Sequence, residues 1–180
     1  MNGSSSRPTH TTGDLIYDAL YIAGVGGGLV ALFFLVYDVF TRGDAFFTPS
    51  LMGSVLFEGL KAESVHTVSM EAMVKFTLVH IAAFSLLGFA LAWLTHQAEL
   101  RSRHPALVIG FVFVALEAGF WIGSSVLIPG VLDRIGVLPV AIANLLAAVG
   151  IGLFLVSTHR PEFWVEFRRK AHLGGGPRTS

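Results

Sequence analysis

The chain has 180 residues, of which 53% are hydrophobic and 13% are charged, and its basic and acidic residues balance. Its mean hydropathy is +0.69, and together with the few charges this composition indicates a membrane protein and not a water-soluble domain. The balanced charge gives no electrostatic support for a nucleic-acid partner. Cysteine is absent, which excludes disulfides, thiolate metal sites and haem attached through thioethers.

Four apolar segments are each long enough to cross a bilayer, which requires about 20 helical residues. We therefore predict an all-α membrane protein, a four-helix transmembrane bundle. The single transmembrane domain occupies residues 15–158, with spans at about 15–40, 74–95, 106–128 and 135–157. It is flanked by a polar tail at 1–14, expected to be flexible, and by a basic tail at 159–180.

The connection between the first two spans is the longest in the chain, and it contains a helix signal of its own. Thr48 followed by Pro49 is typical of a helix start. Apolar residues then repeat on one face as far as Leu60. This pattern predicts a short amphipathic helix, which would lie on the membrane surface or be tucked over the bundle.

Small residues recur at helical spacing in the spans and predict close helix packing. The spacing predicts helix-packing contacts at Gly24, Gly28, Gly88, Ala148 and Gly152. For Gly24 to Gly28 a second interpretation stays open, in which the glycines break the helix and line a ligand or ion site.

Ionisable residues within a membrane span are rare and are candidates for function. His80 lies in the second span, Glu117 in the third and Asn144 in the fourth. If the second and third spans fold back on each other, Glu117 lies one turn from His80, an axial offset of about 5 Å. The three side chains would then form an intramembrane polar cluster, which either fixes helix register or exchanges protons between Glu117 and His80.

Basic residues predict the orientation of the chain. Both tails and the turn at 96–104 share one side of a four-span protein, and they carry eight of the twelve Lys and Arg residues. The positive-inside rule then places both termini in the cytoplasm, with the protein in the plasma (inner) membrane. In the C-terminal tail, Trp164, Arg168, Arg169 and Lys170 predict a juxtamembrane helix that binds lipid headgroups.

The sequence predicts no catalytic residue, cofactor or bound metal. Three histidines near the cytoplasmic face, His96, His104 and His159, have a spacing that is only a weak signal for a metal site. The leading hypothesis is a non-enzymatic accessory or oligomer-forming subunit of a membrane assembly, whose partners are the lipid bilayer and a second copy or another membrane protein. The alternative is a small proton-linked transporter or channel that uses Glu117 and His80.

Overall fold

The computed structural model describes residues 12–98 and 105–159, in which the regular elements are all helical. In chain order they are α1 (Thr12–Arg42), α2 (Phe47–Glu58), a 3-10 turn (Ala62–Ser64), α3 (Met70–Ala98), α4 (Pro105–Leu127), α5 (Val131–Ile135) and α6 (Val137–His159). Helices α1, α3, α4 and α6 are long and apolar enough to span a membrane. The predicted all-helical integral membrane protein with four spans is therefore confirmed. Trp164, Arg168, Arg169 and Lys170 lie outside the described residues.

Helix α1 lies at the centre of the packing. It packs against α3 on one side and against α6 on the other, and α6 also packs against α4. The backbones of α3 and α4 scarcely approach each other. The expected packed hairpin of the second and third spans is therefore not formed, because a short connection brings two helix ends together without deciding which faces pack.

Glycines set the tight helix crossings. A Cβ at Gly88 would overlap the backbone oxygen of Ala19, so α3 and α1 cross at contact distance only because this residue is glycine. A Cβ at Gly26 would lie 2.7 Å from Cδ1 of Ile151 in α6. Gly152 meets Ile109 of α4 in the same way. Each of the three main interfaces therefore contains a glycine.

The predicted packing residues divide into two groups. Gly88 and Gly152 lie at helix crossings, and Ala148 is fully buried in the core. Gly24 and Gly28 are exposed, and no atom lies within 4 Å of where a Cβ would stand on either. Among the glycines of α1, Gly26 and Gly27 contact neighbouring helices, whereas Gly24 and Gly28 lie on the outer surface.

Helix α2 is buried on almost all sides over its first nine residues, from Phe47 to Val55. It packs mainly against α3, where Gly53 touches the backbone of Ala72. It is therefore tucked over the bundle, at the end where α1 and α4 finish and α3 and α6 begin. We call this the capped end.

A carboxylate from α1 holds the start of α2. Asp38 is fully buried and accepts hydrogen bonds from the backbone N–H of Thr48, at 2.6 Å, and from the hydroxyl of Thr48, at 2.8 Å. The first backbone N–H groups of a helix have no partner inside the helix, and burial makes an external acceptor necessary. Asp38 supplies that acceptor from a neighbouring helix.

Two arginines link the Asp38 carboxylate to α5 and to the segment that contains Val65. Arg42 lies 3.7 Å from Asp38 and donates to the backbone oxygen of Arg134 in α5. Arg134 in turn donates to the backbone oxygen of Val65. Both guanidinium groups lie over the ring of Phe47, at 4.3 Å and 5.9 Å from its centroid. The capped end is thus one connected polar network around the start of α2.

We expect Gly88→Ala to lower the free energy of unfolding by about 1–3 kcal/mol, because the new methyl group must push α3 away from α1. The matched control is Gly28→Ala. It meets open space and should be neutral or stabilising by about 1 kcal/mol, since alanine favours a helix over glycine. Thermal unfolding of both variants in detergent tests this. Equal effects of the two changes would contradict the close crossing at Gly88.

We expect Asp38→Ala to destabilise the protein by about 3 kcal/mol, because it leaves a buried N–H and a buried hydroxyl without their acceptor and Arg42 without its ion-pair partner. Asp38→Asn keeps one acceptor oxygen and should cost less. The control is Asp133→Ala, which removes an exposed carboxylate of α5. Chemical denaturation in detergent measures all three, and similar losses for Asp38→Ala and Asp133→Ala would refute this role.

Candidate functional site

The space between α3 and α4 is a cavity of about 580 Å³ in the capped half of the bundle. Its side walls are α3 and α4, its back is formed by α1 and α6, and α2 closes the capped end. The volume lies within the range of small-molecule sites, about 300–1,000 Å³. Five phenylalanines from α1, α3, α4 and the start of α2 line it: Phe34, Phe46, Phe76, Phe84 and Phe120.

The cavity has access to the outside of the bundle. Several of its lining side chains are themselves exposed, namely Leu35, Phe46, Val79 and Leu127. All four are apolar, and they belong to membrane-spanning helices or to the residue before α2. An entrance with such a rim opens towards lipid more favourably than towards water.

Polar side chains are few on the cavity wall: Thr48, Thr77, His80, Ser124 and Asn144. Their donor groups are already used within the protein. The hydroxyl of Thr77 donates to the backbone oxygen of Met73, and that of Ser124 donates to the backbone oxygen of Trp121. Thr48 donates to Asp38, as described above.

Glu117 is bonded to two donors. Asn144 in α6 donates its side-chain amide to one carboxylate oxygen at 2.9 Å, and the indole of Trp121 donates to the other at 3.1 Å. Asn144 is buried, with 6% of its surface exposed, so this bond joins α4 to α6 within the core. Both oxygens of the carboxylate have a partner, which is how a polar group is accommodated away from water.

His80 binds a different helix. Its Nε2 lies 3.1 Å from the backbone oxygen of Gly27 in α1. A carbonyl oxygen only accepts, so Nε2 carries the hydrogen. The ring lies between Phe76 and Phe84, with centroids at 6.1 Å and 4.7 Å. Because Gly27 has no side chain, α3 can approach the backbone of α1 closely enough for this bond. A Cβ on Gly27 would stand 3.1 Å from the ring of Phe84, the neighbour of His80 on α3.

The structure therefore divides the predicted polar cluster in two. Glu117 and Asn144 are brought together as expected, but His80 bonds Gly27 and makes no bond to Glu117. The reason is the helix order: α3 and α4 stand on opposite sides of the cavity instead of packing together. His80 and Asn144 still share a site, since both line that cavity.

Sequence reasoning missed the phenylalanine lining and the Asp38 network. The phenylalanines are spread over four elements and have no common spacing, so no local pattern indicates them. Asp38 did carry a signal, as an ionisable residue near the end of an apolar span with Arg42 four residues later. Among the described side chains, those of residues 12–94 and 106–158, no group of three or more His, Asp or Glu is placed to hold a metal ion. The side chains of His96, His104 and His159 lie outside the described part.

Comparison with known proteins finds no family model, no curated protein and no solved structure that matches this chain.

The separation of Glu117 from His80 can be measured by double-mutant cycles on stability, with each residue truncated to alanine. For Glu117 and Asn144 we expect a coupling energy of about 0.6–1.7 kcal/mol, the range of interhelical hydrogen bonds in a membrane protein. For Glu117 and His80 we expect coupling within about 0.5 kcal/mol of zero, because they share no partner. A larger coupling for the second pair would restore the predicted Glu117–His80 contact.

Proposed function

We propose that this chain is a non-enzymatic integral membrane protein that binds an apolar small molecule in the cavity between α3 and α4. The observation that carries the proposal is the cavity itself, which is large, lined mostly by aromatic and aliphatic side chains, and bordered by few polar groups. Sites of this composition gain their affinity from apolar burial and their selectivity from the few polar atoms.

Entry from the membrane fits this proposal. An apolar molecule is concentrated in the bilayer, and most of the exposed side chains on the cavity wall are apolar as well, Thr77 being a polar one. The polar groups of the spans described above are engaged in hydrogen bonds within the protein. The engagement of the carboxylate and the hydroxyls favours a binding role, because these are the groups that would act as nucleophile or acid on a substrate.

An accessory role in a membrane assembly accompanies this binding function. The exposed face of α1 carries Gly24 and Gly28, and no other element of the described chain lies within 4 Å of where their Cβ atoms would stand. A stripe of small residues lets another helix approach closely. A second copy or another membrane protein is the partner that we propose for this face.

The proton-linked transporter has less support. That mechanism depends on proton exchange between Glu117 and His80, whereas each of them bonds other groups. The bond of Glu117 to Asn144 serves to hold α4 and α6 in register, and its bond to Trp121 lies within α4.

We further propose a four-helix bundle with both termini in the cytoplasm of a cell bounded by a plasma (inner) membrane. The support is the distribution of Lys and Arg along the sequence. In this orientation the capped end and the cavity lie in the outer half of the membrane. The basic tail with Trp164, Arg168, Arg169 and Lys170 would bind anionic headgroups on the inner side.

Filling the cavity should abolish binding. Gly123 lines the cavity from α4, and no atom lies within 4 Å of where its Cβ would stand. We therefore expect Gly123→Phe to fold and to reduce the fraction of protein that carries a copurified apolar molecule by about tenfold. Native mass spectrometry of the purified protein, followed by organic extraction, measures this fraction.

The matched control is Gly110→Phe on the same helix, which also meets open space but lies outside the cavity. It should carry the same molecule as the wild-type protein. Equal loss in both variants, or an apolar molecule retained by Gly123→Phe, would refute binding in this cavity.

A further inference from the structure

The polar atoms on the cavity wall have an unequal balance of donors and acceptors. The hydroxyls of Thr48, Thr77 and Ser124 donate to acceptors of the protein itself, and so does Nε2 of His80. The amide of Asn144 donates to Glu117. Each of these side chains thus donates one hydrogen bond within the protein before any ligand arrives, and the amide of Asn144 keeps a second N–H.

His80 also carries a hydrogen-bond acceptor that is not used within the described chain. With the hydrogen on Nε2, neutral imidazole presents a lone pair at Nδ1. Nδ1 makes no hydrogen bond among the described residues. The fully buried side-chain atoms that lack a partner in this part of the chain are Nε of Arg42 and Nε of Arg134, so Nδ1 keeps some accessible surface. His80 is a lining residue, and the cavity is where that surface can meet a ligand.

Asn144 supplies a second acceptor of the same kind. Its amide nitrogen donates one of its two hydrogens to Glu117, and its side-chain oxygen makes no hydrogen bond among the described residues. It also is not one of the fully buried atoms without a partner. The cavity therefore offers acceptors from α3 and α6, and a ligand that only accepts hydrogen bonds would leave both unpaired.

The surroundings of Nδ1 are aromatic. His80 lies between Phe76 and Phe84, and Phe34 and Phe120 line the same cavity from α1 and α4. Aromatic side chains favour an aromatic guest in offset or edge-to-face packing.

We propose that the cavity selects a phenol-type molecule with an apolar tail, whose hydroxyl group donates a hydrogen bond to Nδ1 of His80. This inference rests on the proposed function, because it names the chemical class of the ligand for the same cavity. The apolar tail fills the volume towards the rim. The hydroxyl satisfies an acceptor that no group of the described chain reaches.

The test compares two probes that differ only in the donor, p-nonylphenol and its methyl ether p-nonylanisole. Both are titrated into delipidated full-length protein in detergent micelles, and affinities are expressed per mole fraction of detergent to remove differences in partition. We expect the phenol to bind about five- to tenfold more tightly, the value of one neutral hydrogen bond. The ratio should fall to about one in His80→Phe, which keeps an aromatic ring but lacks the acceptor.

Two further variants locate the acceptor. Thr77→Val removes a hydroxyl oxygen of the cavity wall that could accept a hydrogen bond in place of Nδ1, and the preference for the phenol should persist in this variant. A preference that survives in His80→Phe and disappears in Asn144→Leu would assign the contact to Asn144 and overturn the role of His80. If His80→Phe does not fold, the ratio of the two probes on the wild-type protein still decides whether the cavity requires a donor.

The outcomes separate this inference from the proposed function. Equal binding of the phenol and the ether overturns the donor requirement but leaves an apolar ligand site intact. Failure of both probes to bind overturns the inference, and it overturns the proposed function as well if Gly123→Phe carries the same molecules as Gly110→Phe.

Discussion

The contact between Asp38 and the first turn of α2 is the interaction on which the capped end depends. A helix that starts inside a membrane protein exposes backbone N–H groups that water cannot reach, and each one left unpaired costs free energy. Asp38 accepts two hydrogen bonds from Thr48 and lies next to Arg42, which continues to Arg134 and Val65. The same contact places α2 across the end of the cavity, so an interaction that stabilises the fold also shapes the site.

Close packing elsewhere leaves the cavity open. Glycines allow α1 to cross α3 and α6, and α6 to cross α4, at short distance. No comparable contact joins α3 to α4 in the described chain. Because apolar side chains gain no hydrophobic free energy by leaving lipid for another helix, packing contacts decide the arrangement of the spans. The gap between α3 and α4 is where such contacts are lacking, and the aromatic side chains around it line a space suited to an apolar guest.

The polar groups of the interior fall into two kinds. Glu117 accepts hydrogen bonds from Trp121 within α4 and from Asn144 across to α6, and Asp38 accepts from Thr48. These residues stabilise the fold. His80 and the oxygen of Asn144 differ from them because each keeps an unused acceptor in a residue that lines the cavity. This difference, and not the presence of an ionisable group in a span, is what separates a candidate ligand contact from a structural one.

The sequence by itself determined that this is an integral membrane protein with four helical spans, and it placed their boundaries within a few residues, because long apolar segments contrast with polar connections. It also singled out His80, Glu117 and Asn144, since polar residues are conspicuous in such segments. Only the tertiary structure decided that Gly26 and Gly27, and not Gly24 and Gly28, face the neighbouring helices. Only the structure separated His80 from Glu117. The physical reason is common to both: in a bilayer the lipid-facing and protein-facing sides of a helix are equally apolar, so periodicity does not reveal which side is inside.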